Sequence, residues 1–186
     1  MNDTKQKLSP TSIFLHWIVA VTIIGLLALG IYMEENEAYQ FYDLHKSIGA
    51  LIFLVIIVRV VWRIKQGWPE PASEYKKIEH LMSKVVHYVL LIGSVIIPMS
   101  GLMMTWGGGH ELAVFGVEIW GPNHDPASPE DTMVRSEAIS GLGHQLHGLI
   151  SNIVIAAIVL HVVGAFKHHI VDKDSTLKRM LGKSSS

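Results

Sequence analysis

The segment from 141 to 169 constrains the fold most, because it is apolar enough to cross a bilayer and yet carries histidines in its interior. A helix of about 20 apolar residues spans a hydrocarbon core about 30 Å thick, and residues 145–166 meet that requirement. His147 and His161 are 14 positions apart. In an α-helix, that separation places two residues within about 40° of one face and about 21 Å apart along the axis. The two imidazoles are therefore predicted to lie on one face of a membrane helix, one near each membrane surface.

Three other apolar runs are also long enough to cross a membrane, and the chain as a whole is 49% hydrophobic. Four such runs predict an all-α integral membrane protein, a four-helix bundle that forms a single domain over residues 1–186. The predicted spans are about 13–33, 44–64, 85–106 and 145–166, with an outer loop at 107–140 and a basic tail at 167–186. Within the outer loop, the stretch from Leu112 to Trp120 alternates apolar and amphipathic residues and is expected to cap the bundle.

The distribution of charge gives the orientation. Thirteen of the fifteen Lys and Arg residues lie at the amino terminus, between or at the ends of spans two and three, or after span four. Only Lys46 and Arg135 lie on the other side. Basic residues concentrate on the cytoplasmic side of membrane proteins, so both termini are predicted to be cytoplasmic. The opposite face carries ten of the sixteen acidic residues and is strongly negative.

Histidines inside membrane spans are costly and therefore suggest function. The chain has no cysteine, which excludes thiolate-held iron–sulfur clusters and covalent c-type haem attachment. Bis-histidine haem held without covalent bonds remains the leading hypothesis. Such a haem takes two imidazoles from facing helices at one depth.

Near the outer surface, span two supplies His45, and span four supplies His144 or His147. His144 is rotated by about 100° from the face that carries His161, whereas His147 is within about 40° of it. The predicted outer iron ligands are therefore His45 and His147.

Near the inner surface, three histidines compete for two ligand positions: His16, His87 and His161. We favour His16 and His161, because one helix that supplies both layers fixes the iron-to-iron distance at about 20 Å. His87 is then free, and His168 continues the same face of span four towards the cytoplasm. Either imidazole could hydrogen-bond a quinone carbonyl and transfer its proton, since histidine titrates near neutrality. Contact with water or a propionate is the alternative for both.

Arg59 lies near the cytoplasmic end of span two and is a candidate partner for a haem propionate, with lipid phosphate as the alternative.

The main competing function is a divalent-metal transporter, because imidazole also suits zinc. A transport site normally needs ligands at one depth and a carboxylate. No predicted span contains Asp or Glu, and the histidines occupy two levels, which counts against transport.

Several short motifs follow one another along the chain. They are His16-Trp17, the segment LHKSIG at 44–49, RVVWR at 59–63, Pro98 followed by GLMM at 101–104, the histidine pair at 147 and 161, and the ending from 167 to 180. Together they resemble the bacterial cytochrome b561 family of small dihaem membrane proteins, and the resemblance covers almost the whole chain. Each motif alone is weak, but their number and order make chance resemblance improbable.

The resemblance implies two b haems with iron ligands at the four histidines deduced above, in a multi-pass protein of the bacterial inner membrane. It also implies a ubiquinone site near the inner haem, with Lys77, His87 and His168 at matching positions. A characterised activity of the family is oxidation of superoxide on the periplasmic side, with electrons passed to ubiquinone. The expected function is therefore that of a superoxide:ubiquinone oxidoreductase.

The negative outer face bears on the electron donor. Superoxide is an anion that a positive funnel would attract. Lys46 and Arg135 are the two bases that could form a local steering patch there. The alternatives are a basic periplasmic redox partner, or a role as the membrane anchor of a larger oxidoreductase. Lipid and quinone are expected partners, and nucleic acid is not.

Overall fold

The computed structural model describes residues 3–4, 7–69, 71–73, 75–128 and 130–184. Four of its helices are long and apolar enough to cross a membrane, which confirms the predicted all-α four-helix membrane architecture. The helices are α1 (Pro10–Asn36), α2 (Tyr42–Gln66), α3 (Lys77–Gly107), α4 (Glu137–Ile170) and the short α5 (Thr176–Met180), with a 3-10 turn at Tyr39–Phe41 and two strands, β1 (Leu112–Val114) and β2 (Val117–Trp120).

Local signals at the helix ends explain where these elements begin and end. The Ser9 hydroxyl accepts a hydrogen bond from the Ser12 N–H, and Pro10 occupies the first turn of α1. The Ser136 hydroxyl caps α4 in the same way. Each helix extends several residues beyond its predicted span. In particular, α4 continues to Ile170, so the first residues of the predicted tail are helical.

The tightest packing is between α3 and α4, which contact each other along much of their length. Glycines make this approach possible. A Cβ added at Gly143 would lie 2.8 Å from the Met104 nitrogen and 2.9 Å from the Ser100 oxygen, and one at Gly93 would lie 2.4 Å from a Val154 methyl carbon. The remaining helix pairs pack less closely around an aliphatic core, whose buried members are Val19, Ile23, Leu26, Ile52, Ile56, Ile97 and Val154.

The strands form an antiparallel hairpin joined by Phe115 and Gly116, both in the left-handed region. The Ser47 hydroxyl on α2 donates to the Ala113 carbonyl and accepts from the Phe115 N–H. The hairpin therefore lies against the side of α2, whereas the sequence led us to expect a cap over the bundle.

The two ends of the chain meet at the opposite end of the bundle. The Asp3 carboxylate accepts hydrogen bonds from Ser9 and Ser12 and forms an ion pair with Arg63. Arg179 donates to the Thr4 carbonyl. We call these five residues, with Thr4, the terminal cluster. It joins the amino terminus, the end of α2 and the carboxyl-terminal tail.

Candidate functional site

Two pairs of histidines face each other at different levels of the bundle. The ring centres of His45 and His147 are 6.3 Å apart, and those of His16 and His161 are 6.2 Å apart. An imidazole nitrogen binds a metal ion at about 2.0–2.1 Å, and it lies roughly 1.1 Å from the centre of a ring whose bonds are near 1.33 Å. Two imidazoles on opposite sides of one ion should then have centres about 6.3 Å apart. Both pairs match this spacing.

The outer pair is oriented by groups on α3. His147 Nδ1 donates to the Ile97 carbonyl at 3.0 Å and lies 3.1 Å from the Ser100 hydroxyl. Because a carbonyl can only accept, this contact places the proton on Nδ1 and leaves Nε2 free to bind a metal. His45 Nδ1 is buried and has no hydrogen-bond partner in the described part of the chain.

The space around the outer pair is kept open by glycines. A Cβ at Gly30 would lie 3.6 Å from His45 Cε1, and one at Gly101 would lie 3.4 Å from His147 Cε1. A Cβ at either position would meet the imidazole at ordinary van der Waals distance, so each ring lies close to the backbone of a neighbouring helix. His144 is exposed on α4 and takes no part in the pair.

The inner level contains a group of three histidines. The ring centres of His87 and His161 are 5.1 Å apart, and the two rings are nearly perpendicular. This distance is shorter than that expected for two imidazoles on opposite sides of one ion. His87 Nδ1 donates to the Ser83 carbonyl at 2.6 Å, which leaves its Nε2 unprotonated. The spacing therefore favours His16 as the residue opposite His161, with His87 alongside.

Arg59 lies beside this group, with one guanidinium nitrogen 3.3 Å from His16 Nδ1. Among the described residues, no carboxylate lies within ion-pair distance of Arg59. A largely buried guanidinium without an acidic partner would be stabilised by an anionic group such as a propionate.

A second polar cluster lies at the carboxyl-terminal end of α4. His168 Nδ1 is 2.8 Å from an Asp172 oxygen and 3.2 Å from an Asp174 oxygen, close enough for ion pairing but not aligned as a hydrogen bond. Tyr75 packs on the His168 ring, with ring centres 4.6 Å apart, and its hydroxyl donates to Asp174. Burial raises the pKa of Tyr75. Sequence reasoning missed Tyr75, since nothing local links it to residues almost a hundred positions away.

The same cluster could hold a metal ion by composition, because ligand atoms of His168, Asp172 and Asp174 lie within 4.8 Å of one another. However, Lys167 Nζ is already 2.8 Å from the Asp172 carboxylate and 3.1 Å from Glu79. A lysine ammonium thus supplies the positive charge. Lys77, the third predicted quinone contact, is exposed at the first position of α3.

The two predicted steering bases help to hold the outer loop. Lys46 Nζ lies 3.0 Å from the Asp43 carboxylate and donates to the Glu111 carbonyl at 3.4 Å. Arg135 donates to the Trp106 and Gly121 carbonyls and lies over the Trp106 ring. Both side chains are therefore fixed by neighbouring groups.

Comparison with known proteins places these features in context. A family model described as prokaryotic cytochrome b561 matches residues 7–183. Cytochrome b561 homolog 2 of Escherichia coli K12 is 33% identical over 99% of this chain and 96% of its own length. Cytochrome b561 homolog 1 of the same organism is 22% identical over 95% of this chain and 97% of its own length. A Yersinia pestis protein named probable superoxide oxidase CybB is 25% identical over 96% of this chain and 97% of its own length.

Proposed function

Because this chain belongs to the prokaryotic cytochrome b561 family, whose members are membrane electron-transfer proteins that bind b-type haem, we propose that it carries electrons across the bacterial inner membrane through two b haems. The observation that supports two haems is the presence of two histidine pairs with the same spacing at separate levels. When bound, each haem supplies an iron that accepts and releases one electron.

The residues present fit this assignment. His45 and His147 would hold the outer iron, and His16 and His161 the inner iron. The Ile97 carbonyl fixes the proton of His147 on Nδ1, so that Nε2 is the ligand atom. His45 Nδ1 has no hydrogen-bond partner among the described residues, so its ring lacks the orienting contact that His147 has. Arg59 would offer its guanidinium to a propionate.

For the two ends of the pathway, we propose superoxide as the outer electron donor and ubiquinone as the inner acceptor. One relative of similar length is named a probable superoxide oxidase. Each superoxide would lose one electron and leave as O₂, so two superoxide ions would reduce one quinone with uptake of two protons. Lys46 and Arg135 would attract the anion at the outer face.

The inner site would use Lys77, His87 and His168 to bind the quinone and supply its protons. His87 is the best placed of the three, since its ring contacts His161. While Nδ1 donates to the Ser83 carbonyl, Nε2 would have to take up a proton before it could donate to a quinone oxygen. On this proposal, protons would be taken up on the cytoplasmic side, where the charge distribution predicts that both termini lie.

The charge of the outer face supports a second candidate donor, a basic periplasmic redox protein. Ten acidic residues lie on that side, and Lys46 is paired with Asp43. A carrier with a positive docking surface would be attracted by the same field that repels superoxide. In a related alternative, the chain anchors a larger oxidoreductase.

Haem quantitation and rapid mixing together test the proposal. The purified protein should contain two haems per chain and give a reduced-minus-oxidised spectrum typical of b-type haem. Mixing the oxidised protein with superoxide should reduce haem quickly, and superoxide dismutase should abolish the reduction. Absence of haem would refute the proposal, and two haems without reduction by superoxide would favour a protein donor.

A further inference from the structure

The hairpin Leu112–Trp120 lies on the outside of the helix bundle. Its contact residue, Ser47, shares one face of α2 with Leu54, Val58 and Val61, all within about 40° at 100° per residue. Those three side chains are exposed in the protein, and they lie on a helix apolar enough to cross a membrane. His45 is rotated by about 160° from Ser47. The hairpin therefore covers the lipid-facing side of α2, away from the histidine pairs.

The tip of the hairpin reaches below the outer end of α2. Ser47 is five residues after Tyr42, the first residue of the helix, which corresponds to about 7.5 Å along the axis. With 25 residues, α2 is about 37 Å long, so it exceeds a 30 Å hydrocarbon core by only a few ångströms at each end. The Phe115 N–H, bonded to Ser47, is thus at the level where headgroups meet acyl chains.

The hairpin displays an apolar stripe at that level. Phe115, Val117 and Ile119 are 62%, 66% and 55% exposed. Alternate residues of a strand lie on one face, so Val117 and Ile119 point the same way, and Glu118 points the other way. Three neighbouring exposed apolar side chains mark a surface that is normally covered.

We propose that this hairpin is a membrane-interface anchor whose apolar stripe, Phe115, Val117 and Ile119, inserts into the outer leaflet beside α2. The stripe lies on the same side of α2 as Leu54 and Val58, which are exposed at deeper levels of the helix. A soluble partner would have to displace lipid to reach that depth. The insertion requires only that α2 spans a membrane, and it does not depend on the identity of the electron donor.

Because the chain contains no cysteine, single cysteines allow a direct test. Phe115→Cys and Val117→Cys would each be labelled with a nitroxide in the full-length haem-loaded protein, reconstituted into phosphatidylcholine vesicles. Collisions with oxygen, which concentrates in lipid, would be compared with collisions with a water-soluble nickel chelate. Leu54→Cys provides the lipid reference, and Ala127→Cys, exposed in the outer loop, provides the water reference.

Insertion predicts oxygen-to-nickel ratios at 115 and 117 several-fold above that at 127 and below that at 54, which lies about 18 Å from the start of α2 and so near the middle of the bilayer. Glu118→Cys should give a lower ratio than Val117→Cys. Equal ratios at 115, 117 and 127 would refute insertion. Protection of 115 and 117 from both reagents would also refute it and would show that protein covers the stripe. Unchanged haem absorbance in each labelled variant would confirm that it is folded.

Discussion

At the scale of single residues, sequence spacing and structural contacts contribute different information about the histidines. Helical periodicity alone places His147 and His161 on one face, and the structure places a facing imidazole opposite each of them. The protonated nitrogen of His147 could not be predicted, because it depends on the Ile97 carbonyl, 50 residues away. Ligand orientation is therefore set by tertiary contacts.

The outer pair can be tested by replacing His147 and His144 by alanine, one at a time. His147→Ala should lower the haem content from two to one per chain, since one axial nitrogen is lost. His144→Ala should retain both haems, because His144 is exposed and outside the pair. Haem per protein, measured after conversion to the pyridine complex, provides the readout. Loss of haem in the His144 variant alone would overturn the assignment.

The inner group of three histidines makes a separate prediction. His87→Ala should keep both haems, because the 5.1 Å spacing from His161 does not suit an iron between them. It should slow the oxidation of reduced haem by ubiquinone on the order of 10²-fold, if His87 transfers a proton. Stopped-flow absorbance measures this rate, and His16→Ala is the contrasting variant that should lose the inner haem. Normal quinone kinetics in the His87 variant would remove it from the quinone site.

At the scale of secondary-structure elements, hydropathy located all four membrane helices but not their ends. Caps such as Ser9 and Ser136 set the true starts, several residues outside the apolar runs. The hairpin was harder to predict. Its alternating pattern was visible in the sequence, but its position depends on Ser47, 66 residues before Ala113. Long-range hydrogen bonds of this kind leave no local signal.

The close packing of α3 and α4 can be tested by adding a single methyl group. Gly143→Ala would place a Cβ within 3 Å of the backbone atoms of Ser100 and Met104, which cannot move aside as a side chain can. We expect it to destabilise the protein by about 1–3 kcal/mol, the usual cost of overpacking. The measurement is the thermal unfolding midpoint in detergent.

Gly141→Ala is the matched control for this experiment, since a Cβ there meets nothing within 4 Å and lies on the same helix. Alanine should stabilise that position slightly, because it has the higher helix propensity. Equal midpoints for the two variants would mean that the helices are not in close contact at Gly143.

At the scale of the whole molecule, the charge of the chain is strongly asymmetric, and an ion pair and hydrogen bonds connect its two ends. The terminal cluster links Asp3 with Arg63, and Thr4 with Arg179. Nearby, the Trp17 indole donates to the Met180 carbonyl. These contacts hold together the ends of helices that are distant in sequence, on the side predicted to be cytoplasmic. The basic excess on that side predicted the orientation, but no pattern predicted which acid would pair with which base.

Asp3 makes the stability of the terminal cluster depend on pH. Burial by itself raises the pKa of Asp3, but hydrogen bonds from Ser9 and Ser12, together with the charge of Arg63, outweigh burial and leave the pKa below its ordinary value of 3.8. A carboxyl with a lowered pKa stabilises the fold fully above that ordinary value, and the stabilisation is lost as the pH falls through the folded-state pKa. Asp3→Asn should therefore be less stable than the unaltered protein at pH 7, by about 1–3 kcal/mol.

The difference in unfolding midpoint between Asp3→Asn and the unaltered protein should stay constant from pH 7 to about pH 5 and shrink towards zero below pH 3.8. Other carboxyls, such as Asp174, titrate in both proteins, and their effects cancel in the difference. Asp43→Asn, which removes an exposed acid outside the terminal cluster, is the matched control. A gap between Asp3→Asn and the unaltered protein that persisted unchanged at pH 3 would show that the charge of the carboxylate does not hold the ends together, and that the neutral carboxyl group makes contacts which the amide cannot replace.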